Sequence, residues 1–180
     1  MNIFDLQKFA EYAKEIVQGK RIIYLFRCYD DAKTEDATVV AFATESERSV
    51  SKDADTTATK SGSIRTPALA EIEITSTAIL AKGDVLKDKL ESAMLNDKLV
   101  ECWEVNLDEE GTGENANKYK SKYYQGYVTE LTLTANAEDA TEVEITFGAN
   151  GNGSDGYATV TDSQKETASY VFKDVTRESE

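Results

Sequence analysis

The spacing of apolar residues changes several times along the chain, and each change marks an expected element. Apolar residues at helical spacing between positions 2 and 18 predict an amphipathic N-terminal helix, with Asn2 as its cap and Gly19 as its stop. The nearly continuous apolar run at 21–29 predicts a strand covered on both faces, and residues 38–44 predict a second strand. The chain therefore opens with a helix that is followed by sheet.

A polar segment, residues 45–67, interrupts this pattern. Its only large apolar residues are Val50 and Ile64, which stand among Ser, Thr, Lys and Asp. A stretch of this composition cannot bury itself in a compact fold. We therefore expect a long loop that is disordered alone or ordered by another molecule.

Alternating apolar and polar positions dominate the remainder of the chain. Alternation predicts half-buried strands at 68–77 and 143–147. Further strands, separated by turn residues, are predicted at 99–107, 119–134 and 157–160. The strand at 119–134 is long enough to be one bent strand or two strands broken near Gly126. Between the strands at 68–77 and 99–107, an apolar stripe predicts a helix over 84–95 with Asp84 as its N-cap.

The predicted strands, with one helix among them and one in front, indicate a mainly β fold. An antiparallel β-sandwich or small barrel fits this pattern best, and no strand–helix–strand rhythm favours a parallel sheet. The predicted organisation is an N-terminal helical arm (1–18), a β domain (19–160) and a polar C-terminal arm (161–180) around Tyr170, Val171 and Phe172.

The net charge of the chain limits the classes of function that fit the sequence. The 180 residues include 34 acidic and 20 basic side chains, for a net charge of −14. Such a balance argues against a face that grips nucleic-acid phosphates, which is built from clustered Lys and Arg, but not against a surface that DNA passes without sticking. The sequence contains neither a membrane-length apolar run nor a secretion-signal pattern, so we expect a soluble protein made in the cytosol.

Candidate chemistry is sparse. Histidine is absent, which removes the commonest general base and metal ligand, so we expect no catalytic residues, no cofactor and no metal site. Residues 150–154 alternate like a calcium loop, but Asp155 stands where such a loop needs Gly, which indicates a simple turn. Cys28 and Cys102 are predicted to be buried thiols, although a single bridge between them stays open.

Sheet, arms and a polar loop with little chemistry are typical of a self-assembling subunit. Sheet edges are normally covered or closed, and a ring of identical subunits can close them. The loop and arms would then be ordered by adjacent copies. The candidate self-association residues are the charged side chains of the loop: Lys52, Asp53, Asp55, Lys60 and Arg65.

Seven segments, in this order and spacing, carry a resemblance to a known family. They are GKRIIYLFR (19–27), VVAFATESERSVSKDADTTATKSGSIRT (39–66), ILAKGD (79–84), VECWEVNL (100–107), KYKSKYYQGYVT (118–129), NAEDATEVEITFGANGNGSDGYATVT (136–161) and YVFKD (170–174). Together they resemble the TP901-1 family of phage major tail proteins. The helix before Gly19 is where the chain departs from that family, because it is longer than the family pattern implies.

The resemblance implies a siphophage-type, noncontractile tail tube. A β-sandwich-like subunit would form hexameric rings that stack around a tape-measure protein, and the lumen would conduct double-stranded DNA without specific binding. Residues 45–67 would be the loop that reaches a neighbouring subunit, and 84–95 the helix outside the tube. The implied partners are further copies, the tape-measure protein, the tail terminator and distal tail or baseplate proteins. The implied location is the virion, after assembly in the host bacterial cytoplasm, with no membrane involved.

Two alternatives share parts of this pattern. A secreted adhesin or carbohydrate-binding β-sandwich would have a similar strand count and polar loops, but it normally travels with a signal peptide. The tube subunit of a contractile tail or secretion apparatus would share the fold and ring symmetry, and a neighbouring gene for a sheath protein would distinguish it.

Overall fold

The computed structural model describes residues 17–168, in which strands predominate. The strands are β1 (Ile22–Cys28), β2 (Thr38–Val39), β3 (Ala43–Thr59), β4 (Gly62–Ile79), β5 (Val100–Glu110), β6 (Tyr119–Thr134), β7 (Glu142–Ala149) and β8 (Ser154–Ala158). The helices are α1 (Val85–Leu95) and α2 (Asp162–Ala168), and short 3-10 turns lie at Gly19–Arg21, Tyr29–Asp31 and Gly113–Asn115. The predicted helix at 2–18 lies almost wholly outside the described residues, as do Tyr170, Val171 and Phe172 of the C-terminal arm.

The strands form a single antiparallel sheet in the order β2-β1-β5-β6-β7-β4-β3, and β8 pairs with β6. The first half of β6 pairs with β5 and β8, whereas its second half pairs with β7. Strand β6 therefore belongs to two half-sheets whose apolar faces enclose the main core. This confirms the mainly β, antiparallel fold. The sheet is not closed, because β2 and β3 end it, so the barrel alternative is not realised.

Gly126 lies where β6 changes partners, opposite Val100 on one side and Ala149 on the other. A Cβ at this position would stand 2.0 Å from the carbonyl oxygen of Gly148, far inside van der Waals contact. The three backbones approach this closely only because residue 126 has no side chain. The strand is continuous through Gly126, so of the two alternatives that the sequence leaves open, one bent strand or two strands, the structure has the first.

The core packs between the half-sheets and is closed at one side by α1. Phe26 of β1 meets Phe147 of β7 edge to face, with ring centroids 5.9 Å apart. Leu90 of α1 is fully buried in the same cluster. The side chain of Asp84 accepts hydrogen bonds from the backbone N–H groups of Leu86 (2.9 Å) and Lys87 (3.3 Å), which confirms the predicted N-cap.

The expectation of a loop at 45–67 is wrong. These residues are most of a long hairpin in which β3 pairs with β4 from Ala43 opposite Ala78 to Thr59 opposite Gly62. All of β3 is exposed. The polar composition rules out burial but not strand formation, because ladder hydrogen bonds join backbone groups and need no apolar side chain.

Several strand boundaries also differ from those predicted. The second strand, expected at 38–44, is only Thr38–Val39, and a turn at 41–42 separates it from β3. Strand β5 continues to Glu110, beyond the predicted end at 107, and β8 begins at Ser154 rather than at 157. The C-terminal arm starts with α2, which is held against the body because the Gln164 side-chain amide donates to the carbonyl oxygen of Ala37 at 2.6 Å. Backbone hydrogen bonds at these polar positions need no apolar side chain, so the pattern of apolar residues does not reveal them.

Candidate functional site

One face of the half-sheet β6-β7-β4-β3 is acidic. Residues directly opposite each other in paired strands share a face, so the register decides which side chains meet. Glu73 lies opposite Gly148, and Glu144 lies opposite both Thr77 and Thr132. The carboxylates that share this face are Glu45, Glu47, Glu71, Glu73, Glu130, Glu142 and Glu144, all exposed.

The other side chains of this face are mainly Thr and Ser. Over residues 45–51, 71–77, 130–134 and 142–148, the paired stretches in which all four strands lie side by side, Arg48 is the only basic residue. Arg48 lies opposite Ile74, whose side chain is buried in the core, so it belongs to the other face. No positive side chain therefore offsets the seven carboxylates within these stretches, and a polyanion near this face meets repulsion.

Arg48 joins the base of the hairpin to the opposite half-sheet. Its Nε lies 2.6 Å from Oε2 of Glu104 on β5, and the hydroxyl of Tyr24 on β1 donates to the same oxygen at 3.0 Å. Burial, reinforced by the negative charge of Glu104, raises the pKa of Tyr24, so its hydroxyl remains a donor. This cluster fixes where the hairpin leaves the body.

The outer part of the hairpin stands free of the body. Strand β4 pairs with β7 only over residues 72–79, so the remainder of the hairpin pairs only with itself. The structure brings the predicted self-association residues together on this part: Lys52, Asp53, Asp55, Lys60 and Arg65 are all exposed. Their role in association stays a prediction.

Exposed apolar side chains of the hairpin were not among the predicted self-association residues. Leu69 is 90% exposed, and Val50 and Ile64 are more than half exposed. The alternation over residues 68–77 puts Leu69 on the same face as Glu71 and Glu73, and this placement is the signal that the sequence offers. Large apolar side chains on a projecting hairpin are suited to contact with another molecule.

The described residues offer little for catalysis. Within 17–168 no three potential metal-binding side chains converge, and Cys28 and Cys102 are separate, buried thiols. Burial raises the pKa of both thiols, which keeps them protonated and unreactive. No helix in the described part of the chain has the length and apolar character needed to cross a membrane.

Comparison with known proteins agrees with this architecture. The profile of the phage tail tube protein family matches residues 16–155. A tail protein of Staphylococcus phage phiMR25 is 37% identical over 146 residues, which cover 79% of this chain and 75% of that protein. The chain belongs to the phage tail tube protein family.

Solved structures show the same fold in tail tubes. The SPP1 tail tube protein superposes with a TM-score of 0.66 at 22% identity, covering 88% of each chain. A protein from the tail of a gene transfer agent particle superposes with a TM-score of 0.57 at 10% identity, covering 76% of this chain and 96% of that one. The family match, the related phage tail protein and the shared fold together identify this protein as a bacteriophage tail tube subunit, a structural component of the virion. Because the matching family is one of phage tail tube proteins, the alternative of a secreted adhesin or carbohydrate-binding β-sandwich is not supported.

Proposed function

We propose that copies of this subunit form six-membered rings that stack into a tail tube, and that the acidic face lines its lumen. The observation that carries the proposal is the single face with seven exposed glutamates and no basic side chain over the paired stretches. Sixfold symmetry is supported by the similar fold in the gene transfer agent tail, whose structure was refined with C6 symmetry.

The open sheet supports assembly into rings. Strands β2 and β3 end the sheet, and the outward edge of β3 has no partner among the described strands. Pairing between neighbouring subunits would satisfy such edges and close the ring. Helix α1 packs on the core side of the half-sheet, opposite the acidic face. A wall with its acidic face inward therefore puts α1 on the outside.

An acidic wall suits transport of double-stranded DNA. Proteins that hold DNA do so by neutralising phosphates with Lys and Arg and releasing counterions, and this face has no such side chains over its paired stretches. Repulsion reaches about 8–10 Å at physiological salt, so it acts where DNA approaches the wall. The lumen would conduct DNA without binding it.

The remaining partners belong to the same proposal. The resemblance to the TP901-1 family supports a tape-measure protein inside the assembling tube, a tail terminator at one end and distal tail or baseplate proteins at the other. It also supports assembly in the cytoplasm of the host bacterium. The exposed hairpin, with Lys52, Asp53, Asp55, Lys60 and Arg65, would contact a neighbouring subunit.

Charge substitution tests the lumen assignment. In phage carrying Glu73→Lys, Glu142→Lys and Glu144→Lys, we expect tails of normal length but genome ejection slowed by about tenfold or more, because the wall would then bind phosphates. The measurement is the rate of DNA release from purified particles after receptor addition.

A control with the same charge change separates location from net charge. Asp36→Lys, Asp88→Lys and Glu114→Lys change exposed carboxylates outside the four strands of the acidic face and their connections, and ejection should stay at the wild-type rate. If the lysine triple variant fails to assemble, the corresponding Gln variant serves in its place, with a smaller change in rate. Wild-type ejection from assembled acidic-face variants would overturn the lumen assignment.

A further inference from the structure

The core side of the hairpin, which continues the core-facing surface of the half-sheet, loses its cover beyond the body. Ile72 of β4 is buried in the main core, and Ala70, two residues nearer the tip, is only half-buried. Val50 of β3 lies opposite Ile72 and is 56% exposed. In the outer hairpin (residues 50–70), both faces therefore meet solvent in the single subunit.

An irregularity in the ladder decides which side chains share a face of the outer hairpin. Strand β3 advances two residues, from Lys52 to Ala54, where β4 advances three, from Ala70 to Pro67. The extra residue of β4 is a β-bulge, which exchanges the two faces for the β4 side chains beyond it. Arg65 therefore lies on the core side, although alternation without the bulge would put it on the acidic face.

The bulge separates the charges of the outer hairpin by face. Lys52 and Arg65 share the core side, whereas Asp53 and Asp55 share the other side with Glu71 and continue the acidic face. The core side also carries small or apolar side chains, which are Val50, Ala54, Pro67 and Ala70. The outer hairpin therefore has a basic, partly apolar side and an acidic side.

The positive charges of the core side have no counterpart within the subunit. Among residues 17–168, neither Lys52 nor Arg65 forms an ion pair. The outer hairpin has three basic and two acidic side chains, whereas the whole chain has 20 basic and 34 acidic ones. The body of a second copy is therefore acidic and attracts the core side of this hairpin.

We propose that the core side of the outer hairpin docks on the body of a second copy through Lys52, Arg65 and their apolar neighbours, while the acidic side continues the wall of the lumen. This inference rests on the proposed function, because the acidic face defines the direction of the lumen. With that face inward, the core side is directed away from DNA and from any protein inside the tube. A further copy is the molecule that the tube wall brings to this side.

Charge reversal on each side of the hairpin tests the division, with purified protein so that a second copy is the only partner present. The measured quantity is the lowest protein concentration at which negative-stain images show tubes. Lys52→Glu with Arg65→Glu should raise this concentration at least about tenfold, because like charges would meet across the contact. Asp53→Lys with Asp55→Lys should leave it within about threefold of the wild-type value, because these side chains face away from the contact.

Lys33→Glu with Lys82→Glu is the matched control for net charge, since both side chains are exposed and lie outside the hairpin. It should also assemble within about threefold of the wild-type concentration. Thermal unfolding within a few degrees of the wild-type monomer should report an intact fold in every variant. If the Glu pair misfolds, Lys52→Gln with Arg65→Gln replaces it, with a smaller rise that narrows in 1 M salt, where the Debye length is about 3 Å.

Normal assembly of the variant with Lys52 and Arg65 reversed would overturn the docking. Loss of assembly in the variant with Asp53 and Asp55 reversed, or in the control, would overturn the division between the two sides. The lumen assignment can fail separately. If phage carrying Asp53→Lys with Asp55→Lys released DNA at the wild-type rate, the acidic side would not line the lumen, and the contact through Lys52 and Arg65 would still stand.

Discussion

Gly126 shows how a single residue without a side chain determines the packing of both half-sheets. The sequence marked this position as a bend or a break, because glycine inside a strand pattern signals a close backbone approach. The structure identifies that approach as the carbonyl oxygen of Gly148, 2.0 Å from where a Cβ would stand. The identity of the contacting strand depends on sheet order and was not available from the sequence.

Gly126→Ala should destabilise the fold by about 2–3 kcal/mol, because the added methyl group forces β6 and β7 apart. Gly156→Ala on β8 is the control, since a Cβ there meets no atom within 4 Å, and its effect should stay within about 0.5 kcal/mol. Urea denaturation of both variants gives the two free energies of unfolding. Equal values would contradict the close approach at Gly126.

Other single residues divide into those the sequence reveals and those it does not. The cap at Asp84 was predictable because its hydrogen bonds reach only two and three residues along the chain. The ion pair of Arg48 and Glu104 was not, because its partners are 56 residues apart and meet only through the arrangement of the two half-sheets. Local chemistry is visible in the sequence, whereas contacts made by topology are not.

Among the elements, the hairpin of β3 and β4 is the main departure from expectation. Strands with an apolar face were predictable from their alternation, and α1 from its stripe and cap. Residues 45–67 gave neither signal, because every side chain of β3 is exposed. The outer parts of β3 and β4 are specified only by backbone pairing and by the geometry of the turn between them. The amino-acid composition does not record either property.

Shortening the hairpin should abolish tube formation and leave the body folded. Replacing residues 54–67 with Asn-Gly removes the outer part, where Ala54 pairs with Pro67, and keeps the ladder from Lys52 opposite Ala70 inwards. The removed residues are exposed, so thermal unfolding of the monomer should change by only a few degrees. Negative-stain imaging of concentrated protein reports tube formation.

The expected failure to assemble should extend to mixtures with the wild-type protein. A shortened subunit that lacks the contact to its neighbour should end growing tubes and reduce their length in proportion to its share. Tubes of normal length from the shortened protein alone would show that the hairpin makes no essential contact.

At the scale of the whole molecule, the acidic face emerges only from the strand order. Strands β4, β6 and β7 each have Glu or Thr alternating with apolar residues, which indicates a solvated face and a buried face. Strands β6, β7, β4 and β3 are neighbours in the sheet but not in that order along the chain, so their glutamates come together only after folding. The fold class and the family were accessible from the sequence, while the lumen candidates required the register.

The most direct test of the account is a helical reconstruction of the tail tube by cryo-electron microscopy. We expect six subunits in each ring, with Glu73 and Glu144 facing the lumen, α1 outside and the hairpin of β3 and β4 in contact with a neighbouring subunit. A tube with its acidic face directed outward, or a tail shaft without this protein, would contradict this expectation.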